Sequence, residues 1–195
     1  RKVAIGCIRR IDESASYANL VVASALQKSN LEQRDRNLVA EMVYGATRMQ
    51  RALDWAVDRF LMKPPPAVLR ASLRIGAYQL LYTRIPPHAA VSTTVEASSK
   101  KNKGVVNAVL RRVAESLPIE WPNEGIRLSY PDWIYELVRL EHGEDEGLAM
   151  LEHMNDSPVV TEREDGYIQD LSSQWVVQSI GVQQEELVLD LCAAP

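Results

Sequence analysis

Apolar positions in the first 117 residues recur every three or four places, the spacing of a helix face rather than the alternation of a strand. Val3, Ala4, Cys7, Ile8 and Ile11 mark a first helix, and Ala18, Val21, Val22, Ala25 and Leu26 a second. Asp35 is placed to cap a third, running through Leu38, Val39, Met42, Val43 and Ala46. Leu53, Ala56, Val57, Phe60 and Leu61 define a fourth, stopped by Pro64-Pro65-Pro66, which removes three donors and fixes three φ angles. Val68, Leu69, Leu73, Ala77, Leu80 and Leu81 define a fifth that ends before Pro86-Pro87. Two more follow, around Ala89–Ser98 and Val105–Leu117. Residues 1–117 are therefore expected to form an all-α bundle, the major part of a mainly α protein.

The pattern changes after that. Pro118, Trp121, Pro122 and Gly125 suggest a surface linker through Tyr130, within a connecting region that runs to residue 165. Pro131 suits the first turn of a helix over Asp132–His142, and Glu144–Met154 reads as an acidic helix. Tyr167-Ile168-Gln169 has the composition of a short strand, and Leu171–Ile180 that of a helix stopped by Gly181. Leu187–Leu191 (LVLDL) is a short apolar run, expected as a buried parallel strand.

Composition narrows the class. The chain is 46% apolar and 25% charged, which excludes a disordered or low-complexity protein. No apolar run approaches the roughly 18 residues of a membrane span. The start, RKVAIGCIRRIDES, carries charges where a signal peptide needs an apolar stretch. Two distant cysteines, Cys7 and Cys192, exclude a disulfide scaffold, so a reducing cytoplasmic location is expected. His88 reads as structural, and His142 and His153 lack metal-ligand spacing, so no metal is assigned.

Charge changes the picture more. Residues 1–117 hold 19 Lys/Arg against 9 Asp/Glu, whereas residues 118–195 hold 3 against 17. The basic half favours a polyanionic partner, although opposite halves can also simply attract each other. The local clusters are Arg9 and Arg10, Arg48 and Arg51, Arg70 and Arg74, Lys100, Lys101 and Lys103, and Arg111 and Arg112. Of these, Arg9, Arg10, Arg70, Arg74, Lys100, Lys101, Lys103, Arg111 and Arg112 are the chosen RNA-contact candidates. Any single arginine among them reads more simply as part of a solvated helix face, whereas the basic excess of the set as a whole favours RNA. Lys100-Lys101-Asn102-Lys103-Gly104 ranks first, because it precedes a helix start where backbone N–H groups favour phosphate. Aromatic residues in this half sit mostly at core spacing, so base stacking is not assigned to them.

Particular segments carry a family resemblance. Leu189-Asp190-Leu191-Cys192-Ala193-Ala194-Pro195 resembles the cofactor motif of the Nol1/Nop2/Sun family of RNA cytosine-C5 methyltransferases, and residues 166–174 (GYIQDLSSQ) resemble the segment leading into it. Residues 35–45 (DRNLVAEMVYG), 73–81 (LRIGAYQLL), 84–91 (RIPPHAAV) and 106–112 (VNAVLRR) resemble a NusB-like domain. Together they resemble the 16S rRNA methyltransferases of that family that carry a NusB-like N-terminal domain.

The resemblance implies a NusB-like RNA-binding bundle at 1–117, a linker with short helices at 118–165 and, from 166 to 195, the truncated start of an α/β Rossmann-like methyltransferase domain. It implies S-adenosylmethionine as cofactor, with Asp190, Cys192, Ala193, Ala194 and Pro195 in its pocket wall. It further implies 16S rRNA as partner and C5 of a cytosine (cytosine 967 in the family) as target. No catalytic residue is assigned: Cys192 maps to the cofactor loop, and the family's nucleophilic cysteine lies further on. The sequence as it stands is therefore expected to be inactive. Where the family has several dozen residues, this sequence has only Pro158–Asp165. The competing reading is a non-catalytic RNA-binding factor of the NusB antitermination type, against which the LDLCAAP segment argues.

Overall fold

The structure is a computed structural model, and it describes residues 1–156, 159–189 and 191. Two compact units are present, Arg1–Asn155 and Asp156–Pro195. The helices of the first are α1 (Lys2–Ser14), α2 (Ala18–Gln27), α3 (Gln33–Arg48), α4 (Gln50–Asp58), α5 (Ala67–Tyr82), α6 (Pro87–Ala97), α7 (Lys103–Glu115), α8 (Glu124–Arg127), α9 (Asp132–His142) and α10 (Glu144–Met154).

Helix α5 is the axis of this unit. Every residue from Ala71 to Leu80 is buried, and α1, α3, α4, α6 and α7 all pack on it. A helix apolar around most of its circumference has no solvent face, so it takes the centre. No buried side-chain polar atom among the described residues lacks a hydrogen-bond partner. Ser72 donates its hydroxyl to the Val68 carbonyl at 3.0 Å, and Gln79 donates to the Thr94 hydroxyl at 2.9 Å.

Close approach needs glycine at two points. A Cβ on Gly45 of α3 would lie 2.1 Å from the Tyr78 ring, and one on Gly76 of α5 would lie 2.2 Å from Leu110 Cδ1. The surrounding core includes Met42, Leu53, Leu73, Ile75 and Leu110, each fully buried. Burial of such side chains contributes roughly 1.5–3 kcal/mol apiece.

Several local expectations shift. Glu32, not Asp35, occupies the N-cap of α3, and Asp35 lies in its first turn, where a carboxylate still favours the positive end of the helix dipole. Phe60 and Leu61 fall beyond the end of α4, in the loop before Pro64. The stretch from Pro118 to Tyr130 packs on the bundle instead of lying free. Trp121 packs against Trp55 with ring centroids 5.4 Å apart and planes tilted by 41°, Leu128 is buried, and Asn123 caps α8 through a 2.8 Å bond from Ile126 N. The α9–α10 hairpin turns at Gly143, whose φ of 83° suits glycine. Arg51 of α4 anchors its base, donating to the Tyr130 carbonyl and, at 2.6 Å, to Asp132.

The second unit is small. Residues 161–169 form a tight turn with a single antiparallel bridge between Glu162 and Ile168. The short strand anticipated at Tyr167–Gln169 is reduced to that bridge. Helix α11 (Leu171–Ile180) follows, capped by Asp170 accepting from Ser172 N at 3.0 Å and stopped by Gly181 at φ 64°. The parallel strand expected at Leu187–Leu191 is not formed among the described residues. Leu187, Val188, Leu189 and Leu191 are exposed. A parallel strand exists only through its neighbours' ladder, and no neighbouring strand is present among the described residues. The Rossmann-like start therefore does not appear as a sheet here.

Candidate nucleic-acid interface

The structure separates the nine predicted RNA-contact residues by what neutralises them. Arg74, at 6% exposure, lies inside the bundle. Its Nε and Nη2 donate to the two Asp54 carboxylate oxygens at 2.8 and 2.6 Å, and Nη1 donates to both oxygens of Asp12 at 2.9 Å. Burial works against this charge, but the hydrogen bonds and charges of Asp54 and Asp12 outweigh it and hold the guanidinium above its usual pKa. Arg70, one turn earlier, donates to Asp54 at 3.2 Å and to Asp58. These two cations tie α1, α4 and α5 together, and carboxylates of the fold already neutralise their charges. Neutralised within the fold, both differ in kind from the other seven candidates.

The remaining seven stand at the surface. Arg9 and Arg10 lie on the outer face of α1, with Arg9 3.6 Å from Glu13 in a loose, half-exposed pair. Helix α1 packs on α5, α3, α2 and, less extensively, α6, and makes no such contact with α7, which carries the other group. That group is Lys100, Lys101, Lys103, Arg111 and Arg112, all exposed and all on α7 or the turn before it. From Ser99 to Arg112 the chain holds five Lys/Arg and no Asp/Glu. None of the five side chains has a carboxylate or hydrogen-bond partner among the described residues. Lys103 and Arg111 are two helical turns apart and share one face of α7.

A cleft of about 440 Å³ opens beside this group, between the loop from Phe60 to Pro66 and the outer side of α7. Lys63 and Arg112 are at its edge, and Phe60, Leu69 and Val109 are among its apolar walls. Sequence reasoning read the three prolines only as a helix stop and placed Phe60 in the core, so it missed this feature. The available signal was a lysine directly before a rigid proline run.

Other candidates resolve simply. Cys7 is buried and its thiol is pushed up by burial, as befits a small apolar residue. His88 is exposed in the first turn of α6. Among the described residues no group of His, Cys, Asp or Glu could hold a metal, and no helix is long and apolar enough to cross a membrane. Tyr17 is exposed. The proposed cofactor residues Asp190, Cys192, Ala193, Ala194 and Pro195 lie outside the described residues.

A central buried helix packed by five others, with a cationic edge that no described carboxylate balances, defines an all-α module. Residues 1–115 match the NusB family, and the chain belongs to that family. Over its whole length it is similar to a probable ribosomal RNA small subunit methyltransferase B of Synechocystis sp. (strain ATCC 27184 / PCC 6803 / Kazusa), with 30% identity. The ribosomal RNA small subunit methyltransferase B of Yersinia enterocolitica is 29% identical, and that of Cronobacter sakazakii 27%. All of this chain is covered in each case, and 58% of each relative. The Synechocystis alignment extends over 260 residues against the 195 of this chain, a difference of 65.

Proposed function

We propose that this chain is part of an rRNA methyltransferase, in which the NusB-family bundle binds and orients ribosomal RNA. The reaction it would serve is methyl transfer from S-adenosylmethionine to C5 of a cytosine in 16S rRNA. The observation that carries this reading is similarity to ribosomal RNA small subunit methyltransferases B over the entire chain, well beyond the 115 residues matched to NusB. A bundle serving only antitermination gives no reason for that extension.

The bundle's part is electrostatic positioning. Lys100, Lys101, Lys103, Arg111 and Arg112 would neutralise phosphates, each adding salt-sensitive affinity. Arg9 and Arg10 would extend the contact from α1. Base chemistry requires an unstacked target, so the RNA held here would present a loop or single strand. Asp190, Cys192, Ala193, Ala194 and Pro195 would form part of the wall around the methyl donor. That set suits such a ligand, with one carboxylate to accept hydrogen bonds and small residues that let it approach the backbone.

Two experiments test the reading. Affinity of the full chain for an unmodified 16S rRNA fragment should fall linearly with salt on a log–log scale, whereas a flat dependence removes the phosphate contacts. Disruption of the gene in its source organism should leave one 16S rRNA cytosine newly sensitive to bisulfite. An unchanged conversion pattern overturns the methyl-transfer reading.

A further inference from the structure

The cleft beside α7 combines apolar walls with exposed cations. Its walls are aliphatic and prolyl, with one aromatic ring, Phe60, lying beneath the Arg59 guanidinium at 5.0 Å. Its edge carries Lys63 and Arg112, both exposed and both without a carboxylate or hydrogen-bond partner among the described residues. Lys103 immediately precedes Gly104, a further wall residue. The volume, about 440 Å³, falls within the roughly 300–1,000 Å³ of small-molecule pockets.

Contrast with Arg70 sharpens the point. Arg70 is close in sequence to Lys63 but is neutralised by Asp54 and Asp58, so its charge serves the fold. Lys63 and Arg112 hold charges that no described residue neutralises. A ligand matching an apolar slot with cations at its rim has a flat, poorly hydrated body and an anionic edge. Among polyanions, an unpaired nucleotide has that form, since its base can leave the stack and its phosphates stay outside. A duplex does not, because its bases are already stacked and paired.

We propose that this cleft is a base-binding subsite for single-stranded RNA. One unstacked base inserts against Phe60 and the prolines, while Lys63 and Arg112 hold the flanking phosphates. The inference rests on the RNA-binding reading above and adds to it a preference for unpaired RNA. The cluster at Lys100–Lys103 would track the strand as it leaves the cleft.

The test uses the full chain, an unstructured RNA oligonucleotide and a duplex of the same length. Ala108 is an exposed wall residue on α7, so Ala108→Phe fills the cleft and keeps every cation. Single-stranded affinity should fall about tenfold, the scale of one lost base stack, with duplex affinity unchanged. Phe60→Leu, which keeps an apolar wall, should lower single-strand affinity several-fold and serves if the first variant misfolds. In NMR titrations, cytidine and adenosine 5′-monophosphates should shift Gly104, Val105 and Ala108 amides, and ribose 5-phosphate should not. Equal weakening of both RNAs, no effect of either variant, or displacement of nucleotide by an acidic peptide overturns the base subsite. If the chain binds neither RNA at low salt, the RNA-binding reading itself fails and the subsite with it.

Discussion

Arg74 and Asp54 meet side-on, guanidinium to carboxylate, through paired bonds of 2.8 and 2.6 Å, and Asp12 completes the set from α1. Both Arg74 and its neighbour Arg70 depend on Asp54, so one carboxylate links α4 to two turns of α5. Removing it leaves a buried cation short of its partner. Asp54→Ala should cost roughly 3–5 kcal/mol of stability, read as a lower denaturant midpoint with the slope unchanged. The salt slope of RNA binding by the folded variant should not change. A drop in that slope would return Arg70 and Arg74 to the RNA surface.

Mutation of the α7 cluster should show the opposite behaviour. Replacing Lys100, Lys101 and Lys103 with alanine removes three exposed charges that no described carboxylate balances. The log–log salt slope for single-stranded RNA should become shallower by about 2, with each phosphate contact contributing roughly 0.7. Thermal stability should stay at the wild-type value.

Tyr78 sets an alkaline limit. Its hydroxyl donates to Glu41 at 2.6 Å, and burial followed by that bond and the Glu41 charge hold the phenol above its ordinary pKa of 10.0. A folded value above the unfolded one means that the stabilisation is complete below about pH 10 and is lost as pH rises through the folded value. Tyr82, pushed up to about 12 by burial, adds loss in the same range. Tyr78→Phe should flatten part of this alkaline decline while costing about 1.5 kcal/mol at neutral pH, measured by denaturant titration across pH.

Gly45 faces that same ring. A methyl group there would lie 2.1 Å from Tyr78 Cζ, so the ring, buried and hydrogen-bonded to Glu41, would have to shift. Gly45→Ala should therefore destabilise by about 1–3 kcal/mol, even though alanine is the better helix former. A stabilised variant would show that the α3–α5 contact is looser than its geometry.

Arg51 holds the α9–α10 hairpin to α4 through Tyr130 and Asp132. Arg51→Ala should raise amide exchange across Asp132–Met154 selectively, leaving α5 protected. Uniform acceleration would mean that hairpin and bundle open as one unit.

Helices were legible in the chain because their signal is local. Apolar spacing and Pro131 place α9 and α10 at the residues observed, and the hydrogen bonds of a helix close within four residues. The basic bias of the first half was equally open to reading. Which cations are free was not, since the partners of Arg74 are 20 and 62 positions away and only folding brings them within 3 Å. The same limit explains the LVLDL segment, whose expected strand depends on backbone partners elsewhere in a sheet. It also explains the cleft at Lys63, where a loop and a helix some forty residues apart along the chain become opposite walls. Sequence alone determined the helices and the sign of the charge; tertiary structure decided which charges the fold consumes and which it leaves for a ligand, because neutralisation acts through space and not along the chain.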